Sequence, residues 1–149
     1  MKTFRTILLA TLLILTGGCT EENKTLSFSD KLNGSWNLSS LSGGFAGVDF
    51  DFSEGEVIWD YNSNTMMVSV TSNLDADDMR SSFLPLQEGE YEFSINESGG
   101  NTFLVIDGAG IYENNEFGKI DLNNSTLTID QGQGSNGGAD DVYVLILTK

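Results

Sequence analysis

Glu90-Tyr91-Glu92-Phe93-Ser94-Ile95-Asn96 alternates without a break, with Tyr91, Phe93 and Ile95 on one side and Glu90, Glu92, Ser94 and Asn96 on the other. Successive side chains of a strand leave opposite faces of a sheet. A period of two with large apolar groups on one side therefore predicts a strand with one face in a core and the other in water. The same period recurs outward in both directions. Trp36 and Leu38 alternate with Ser35, Asn37 and Ser39 over 34–41. Val57, Trp59 and Tyr61 share a face over 56–61, as do Met66, Val68 and Val70 over 66–71. Beyond the central stretch, 102–106, 118–122, 126–130 and 142–148 read as further strands. That makes eight.

The connections fit antiparallel neighbours. Asn62-Ser63-Asn64, Ser98-Gly99-Gly100, Asp107-Gly108 and Asn123-Asn124-Ser125 are short and rich in residues that tolerate positive φ, as hairpins require. Three connections are long: 42–55 and 131–141, both rich in glycine, and 73–88, which holds the only proline. Within the last, Asp75 begins a run, Asp75-Ala76-Asp77-Asp78-Met79-Arg80, able to cap one or two helical turns. Nothing else reads as helix. The predicted fold is all-β, an eight-stranded antiparallel up-and-down β-barrel over 32–149, since closure removes the edges an open meander would expose. An open sheet or a two-sheet sandwich is the alternative.

The ends of the chain say where such a barrel would sit. Lys2 and Arg5 precede a nine-residue apolar stretch, 7–15, too short to cross a ~30 Å hydrocarbon core at about 1.5 Å per residue. Residues 1–18 therefore read as a signal peptide. Thr16-Gly17-Gly18 leads to Cys19, the only cysteine. This arrangement resembles a bacterial lipobox, with Leu15 upstream of the small residues. The resemblance implies cleavage before Cys19, lipidation of Cys19 and anchorage in the bacterial outer membrane, facing the periplasm or the cell surface. The alternative is a secretory signal cut nearby. Residues 19–31 read as an acidic and polar tether, with a reach of roughly 20 Å if flexible.

Composition narrows the function. The 149 residues include 22 acids, seven bases and no histidine, for a net charge of −15. Loss of Lys2 and Arg5 with the signal leaves 22 acids against five bases, or −17. Without histidine there is no Ser-His-Asp or Cys-His nucleophile system. The acidity disfavours nucleic acid, whose binding depends on Lys and Arg. Carboxylate pairs exist in Glu88, Glu90 and Glu92, and in Glu54 and Glu56, but on a polar strand face they read as solvated rather than catalytic. Asp75, Asp77 and Asp78, or Asp130 with Asp140 and Asp141, offer oxygen ligands for calcium without EF-hand spacing, and a solvated acidic loop is the favoured reading. No catalytic residue, metal or cofactor is expected.

A family resemblance joins these pieces. Leu32-Asn33-Gly34-Ser35-Trp36-Asn37-Leu38 resembles the Gly-X-Trp opening of lipocalins. Together with Gly43-Gly44-Phe45-Ala46-Gly47, Gly55-Glu56-Val57-Ile58-Trp59, Gly89-Glu90-Tyr91 and Asp141-Val142-Tyr143, it is similar to small bacterial lipocalin-like lipoproteins. The resemblance implies a first-strand Trp closing the barrel floor, packed against a basic residue of the last strand. Residues 142–148 supply none, which leaves terminal Lys149.

The inward set drawn from the pattern is Trp36, Leu38, Val57, Trp59, Tyr61, Val68, Val70, Tyr91, Phe93, Ile95, Phe103, Val105, Ile120, Leu127 and Ile129. Two readings of it stay open. Trp36, Trp59, Tyr61, Tyr91 and Phe93 could line a cavity for a small apolar ligand, or they could fill a core. The expected function is thus a monomeric, non-catalytic, lipid-anchored barrel that holds a small apolar ligand. The alternative is a protein-interaction module, of protease-inhibitor or adhesion type, using its N-terminal arm and glycine-rich loops.

Overall fold

The computed structural model describes residues 26–149. The signal segment and Cys19 lie outside the described residues. Helix α1 (Phe28–Leu32) is followed by β1 (Gly34–Gly43), β2 (Val48–Asp51), β3 (Val57–Asn62) and β4 (Met67–Ser72). After a 3-10 turn (Met79–Phe83) come β5 (Gly89–Ser98), β6 (Asn101–Ile106), β7 (Glu116–Asn123) and β8 (Thr126–Asp130). A small hairpin, β9 (Gln133–Gly134) and β10 (Gly137–Gly138), precedes β11 (Tyr143–Thr148).

Eight strands close into an antiparallel barrel. Neighbours in sequence pair from β3 through β8, β8 pairs with β11, and β1 joins β11 on one side and β3 on the other. The lower half of β1 pairs with β3 (Trp36 opposite Trp59), while its upper half pairs with β2 (Leu41 opposite Phe50). Sequence reading left β2 and the β9–β10 hairpin inside long loops, because both are short: Val48 and Phe50 alternate with Asp49 and Asp51 over four residues only, and β9 and β10 are two residues each.

Two irregularities shift the inward phase. A bulge at Ser39, between Leu38 and Ser40 in the pairing with β11, places Leu41 on the same buried face as Trp36 and Leu38. The Ser39 hydroxyl donates to the Ile146 carbonyl at 2.9 Å across this bulge. A second shift sets Leu104 opposite Gly118 and Val105 opposite Glu116. The extra residue, Phe117, is fully buried in the core. Each bulge adds one residue to one strand, which a strict period of two does not anticipate.

One assignment of the inward face is corrected. Phe103 and Val105 were expected to point inward, but Leu104 and Ile106 belong to the core cluster instead. Cross-strand partners share a face, and these two stand opposite Ile95 and Phe93. Phe103 is buried outside that cluster, and Val105 is half-buried.

The two barrel ends differ. At the floor, Ser27 caps α1, accepting from the Asp30 amide while the Asp30 carboxylate accepts from the Ser27 amide, so residues 28–31 of the segment read as tether form a helical turn. This reciprocal capping box satisfies two amides that a helix start leaves unpaired. It drives Leu32 into the core with no exposure. The Trp36 indole N–H donates to the Leu32 carbonyl at 2.7 Å, so the first-strand Trp closes the floor against the helix. Lys149 Nζ sits 4.4 Å above the Trp36 ring and donates to the Asn33 carbonyl at 2.8 Å. The terminal lysine thus supplies the base that the last strand lacks. At the opposite, loop end, Leu84 and Leu86 flank Pro85 and drop into the core from the β4–β5 connection.

Candidate functional site

The strand pattern turns four of the five proposed ligand residues wholly inward. Trp36, Trp59, Tyr61 and Phe93 are each at most 1% exposed. The rings of Trp59, Tyr61 and Phe93 meet in a chain. Tyr61 stands edge-on to Phe93 at 5.2 Å between centroids, and Trp59 reaches Tyr61 at 6.3 Å and Phe117 at 5.9 Å. Such tilted and edge-to-face contacts are the arrangements aromatic quadrupoles prefer. Tyr91 shares their face but lies near the loop end, half-buried, and its hydroxyl donates to the Gln87 carbonyl at 3.0 Å. Tyr91 therefore ties the β4–β5 connection to the barrel wall.

Tyr61 is the exception to a satisfied interior. Its hydroxyl is buried and has no hydrogen-bond partner among the described residues. Burial pushes its pKa far above the ordinary tyrosine range, because the phenolate would be desolvated with nothing to pair it.

Clefts lie on the outer wall and rims. One, about 540 Å³, runs past Asn33, Asp60, Tyr61, Asn62, Ser69 and Glu90. Another of about 400 Å³ lies between Tyr112, Glu113, Asn114, Glu116 and Asn136. Neither Trp36 nor Trp59 lines either one.

Among the acids that sequence offered as catalytic or metal-binding, Glu56, Asp78, Asp130 and Asp141 hold loops in place. Glu90 and Glu92 are exposed on the outer face of β5. Asp78, rather than Asp75, caps the 3-10 turn and pairs with Arg80 at 2.7 Å. Arg80 also pairs with Glu56 at 3.0 Å, donates to the Asp51 carbonyl at 2.8 Å and lies 5.0 Å over the Phe52 ring. One guanidinium thereby fastens the β4–β5 connection to β2 and to the start of β3. Hydrogen bonds from Arg80 hold both the Glu56 and Asp78 carboxyls below their usual range. A depressed carboxyl contributes stability above its unfolded pKa of about 4, and that contribution is lost as pH falls through the folded value. Arg80→Gln is therefore expected to flatten the acid limb of stability below about pH 5. Urea midpoints measured from pH 7 to 3 check this; parallel curves for the two proteins would exclude the coupling.

Asp130 accepts from the Gly132 amide and from the Gln133 side chain, and Asp141 accepts from the Phe45 amide. Among the described residues, no three acidic or Cys/His groups gather where a metal ion could be held.

Glu116 is the polar residue that sequence reading missed. It is 1% exposed at the start of β7. It accepts from Asn96 Nδ2 at 2.6 Å and from the Ser135 amide at 2.8 Å. Burial would raise its pKa, but hydrogen bonds from Ser135, Asn96 and Asn114 outweigh that and hold the carboxyl low. The carboxylate so pins the β9–β10 hairpin to the barrel wall. Glu116 lies beside the bulge at Phe117, where no period applies.

Sorting the outer surface by end brings out the loops. The connections 44–56, 73–88, 107–115 and 131–142, all at the loop end, carry twelve acids and one base, Arg80. They also bear Phe45, Met79 and Ile111, at 94%, 66% and 40% exposure; Leu26, in the N-terminal arm, is the other large apolar side chain exposed among the described residues.

The chain matches no family model, no curated protein and no solved structure. Its function is therefore argued from the geometry.

Proposed function

We propose that this chain is a non-catalytic, lipid-anchored protein of the bacterial envelope, held through Cys19 at the floor end of a lipocalin-like barrel and binding a protein partner through its loop end. The observation that carries this reading is the burial of Trp36, Trp59, Tyr61, Phe93 and Phe117 at 1% exposure or less, with Trp59, Tyr61, Phe93 and Phe117 joined ring to ring. An eight-stranded barrel is wide enough either to be filled by side chains or to hold one small ligand. Rings that fill it shift recognition to the loops, which a rigid scaffold presents. The anchor reading rests on Cys19 behind its short apolar segment.

A second reading is kept because of the Tyr61 hydroxyl. A buried donor without a partner is what a small, mainly apolar ligand with one polar end would satisfy. Native mass spectrometry of the chain purified from its own host separates the two. The interaction reading expects the mass of the lipidated chain alone. A stoichiometric small molecule that survives desalting would favour the ligand reading. In the same host, Cys19→Ser is expected to abolish acyl labelling and move the protein from the membrane to the soluble fraction. Labelling that persists would overturn the anchor.

A further inference from the structure

Phe45 is the most exposed large apolar side chain among the described residues, at 94%, and the backbone beneath it is tightly held. It sits on the turn between β1 and β2. The Gly44 amide donates to the Val142 carbonyl, and the Gly47 amide to the Gly44 carbonyl, both at 2.9 Å. The Phe45 amide donates to the Asp141 carboxylate, and Asp141 itself adopts φ of 60°, a conformation uncommon for a residue with a side chain. Gly43 and Gly44 have φ of 113° and 68°. A Cβ at Gly43 would lie 2.6 Å from the Val142 carbonyl oxygen, and one at Gly44 would lie 2.7 Å from the Tyr143 ring. Glycine is thus required on both counts, and the tip is fixed to the 131–142 loop while its aromatic ring stands in solvent.

A rigid tip costs little conformational entropy on binding, and a protruding aromatic is the usual anchor of a binding hot spot. Around Phe45 the charges have one sign. Asp49 and Asp51 on β2, with Asp140 and Asp141 on the adjoining loop, are exposed. The one base of the loop end, Arg80, is engaged by Glu56, Asp78 and the Asp51 carbonyl. An aromatic anchor inside an acidic rim complements an apolar pocket inside a basic rim, and it is repelled by an anionic lipid surface.

We propose that the 44–47 tip docks Phe45 into an apolar pocket with a basic rim on a partner protein. This rests on the reading that the loop end binds a partner, and it names the residue and the chemistry. The test uses the full, anchored chain in its own host, with a photoreactive benzoylphenylalanine in place of Phe45, of Asn136 at the same end, or of Asn64 at the floor end. Position 45 is expected to give a discrete protein adduct that position 64 does not. With that partner purified, Phe45→Ser should weaken binding at least tenfold while leaving the melting temperature unchanged. Asp49→Asn should slow association, and rising salt should do the same to the parent pair. An adduct from position 136 without one from 45 would overturn the anchor and leave the loop-end reading intact. No adduct from either loop-end position would overturn both. Adducts only to lipid, or binding to phosphatidylglycerol vesicles in place of a protein, would put the tip in a bilayer and overturn the protein partner. An affinity indifferent to Phe45→Ser and to salt would overturn the proposal even with an adduct at 45.

Discussion

Trp36→Ala is expected to cost about 3–5 kcal/mol of folding free energy, the range for deleting a buried aromatic and leaving its cavity. Three features place this site among the most sensitive in the barrel. The side chain has no exposure. Its indole N–H is the donor for the Leu32 carbonyl at the end of α1. Its ring also carries Lys149 at 4.4 Å on the side facing out of the floor. Against a typical total of about 5–15 kcal/mol, that loss removes about a fifth of the stability or more. A fall in melting temperature on the order of 10 °C or more follows. Trp36→Phe separates the contributions, since it keeps most of the packing and drops the hydrogen bond, for which about 1–3 kcal/mol is expected when a buried carbonyl loses its donor. Urea denaturation of the three proteins measures both steps. A loss below about 1 kcal/mol for Trp36→Ala would mean that α1 and Leu32, not Trp36, close the floor.

The loss reaches helix α1. Helix α1 lies between the segment leading from Cys19 and the first barrel strand, and Trp36 is its buried hydrogen-bonded contact with that strand. With Trp36 in place, the barrel has a fixed floor at the end opposite the Phe45 tip. Without it, α1 loses its buried hydrogen bond to β1, and the segment from Ser27 to Gly34 is released from the floor. The Trp36→Ala variant should therefore show faster amide exchange across 27–34 before global unfolding.

How much of this was legible in the sequence depended on how many faces of each strand meet the core. Residues 90–96 were plain because charged and apolar side chains alternate, and Glu90 and Glu92 do face water. The run Thr102-Phe103-Leu104-Val105-Ile106 was not, because four consecutive apolar residues leave both phases open and only pairing with β5 selects Leu104 and Ile106. Leu41 and Phe117 were invisible for another reason: each follows or occupies a bulge, and bulges are set by the neighbouring strand. Helix α1 did leave a signal, the Ser27-x-x-Asp30 capping pair, but five residues show no helical period to support it. For the candidate site, the period told which rings point inward. It does not carry volume, so it could not say whether Trp59, Tyr61 and Phe93 line a space or fill it. The exposure of Phe45 was equally unreadable, since it depends on a turn that the Phe45 amide and the Asp141 carboxylate tie together across 96 positions of sequence.

Tyr61→Phe is expected to do what few core substitutions do and raise stability, by about 1–3 kcal/mol, the cost of burying a polar group that finds no partner. The ring contacts that matter, edge-on to Phe93 at 5.2 Å and tilted against Trp59 at 6.3 Å, are available to phenylalanine unchanged. The pH dependence gives a second, independent readout. The folded pKa of Tyr61 lies far above its ordinary value, so the neutral form is the one the fold accepts. A group raised in this way contributes fully below its unfolded pKa of about 10, and stability falls above it, as the unfolded chain releases a proton that the folded chain keeps. At pH 11 that share is roughly 1.4 kcal/mol, and the variant should lack it, so the gap between the two proteins widens as pH rises. Denaturant midpoints at pH 7 and pH 11 test both statements. If Tyr61→Phe were instead destabilising at pH 7, the hydroxyl would have a partner in solution. The barrel interior would then hold a polar occupant beside Trp59 and Phe93, and the ligand reading would displace the loop-end one as the function of this fold.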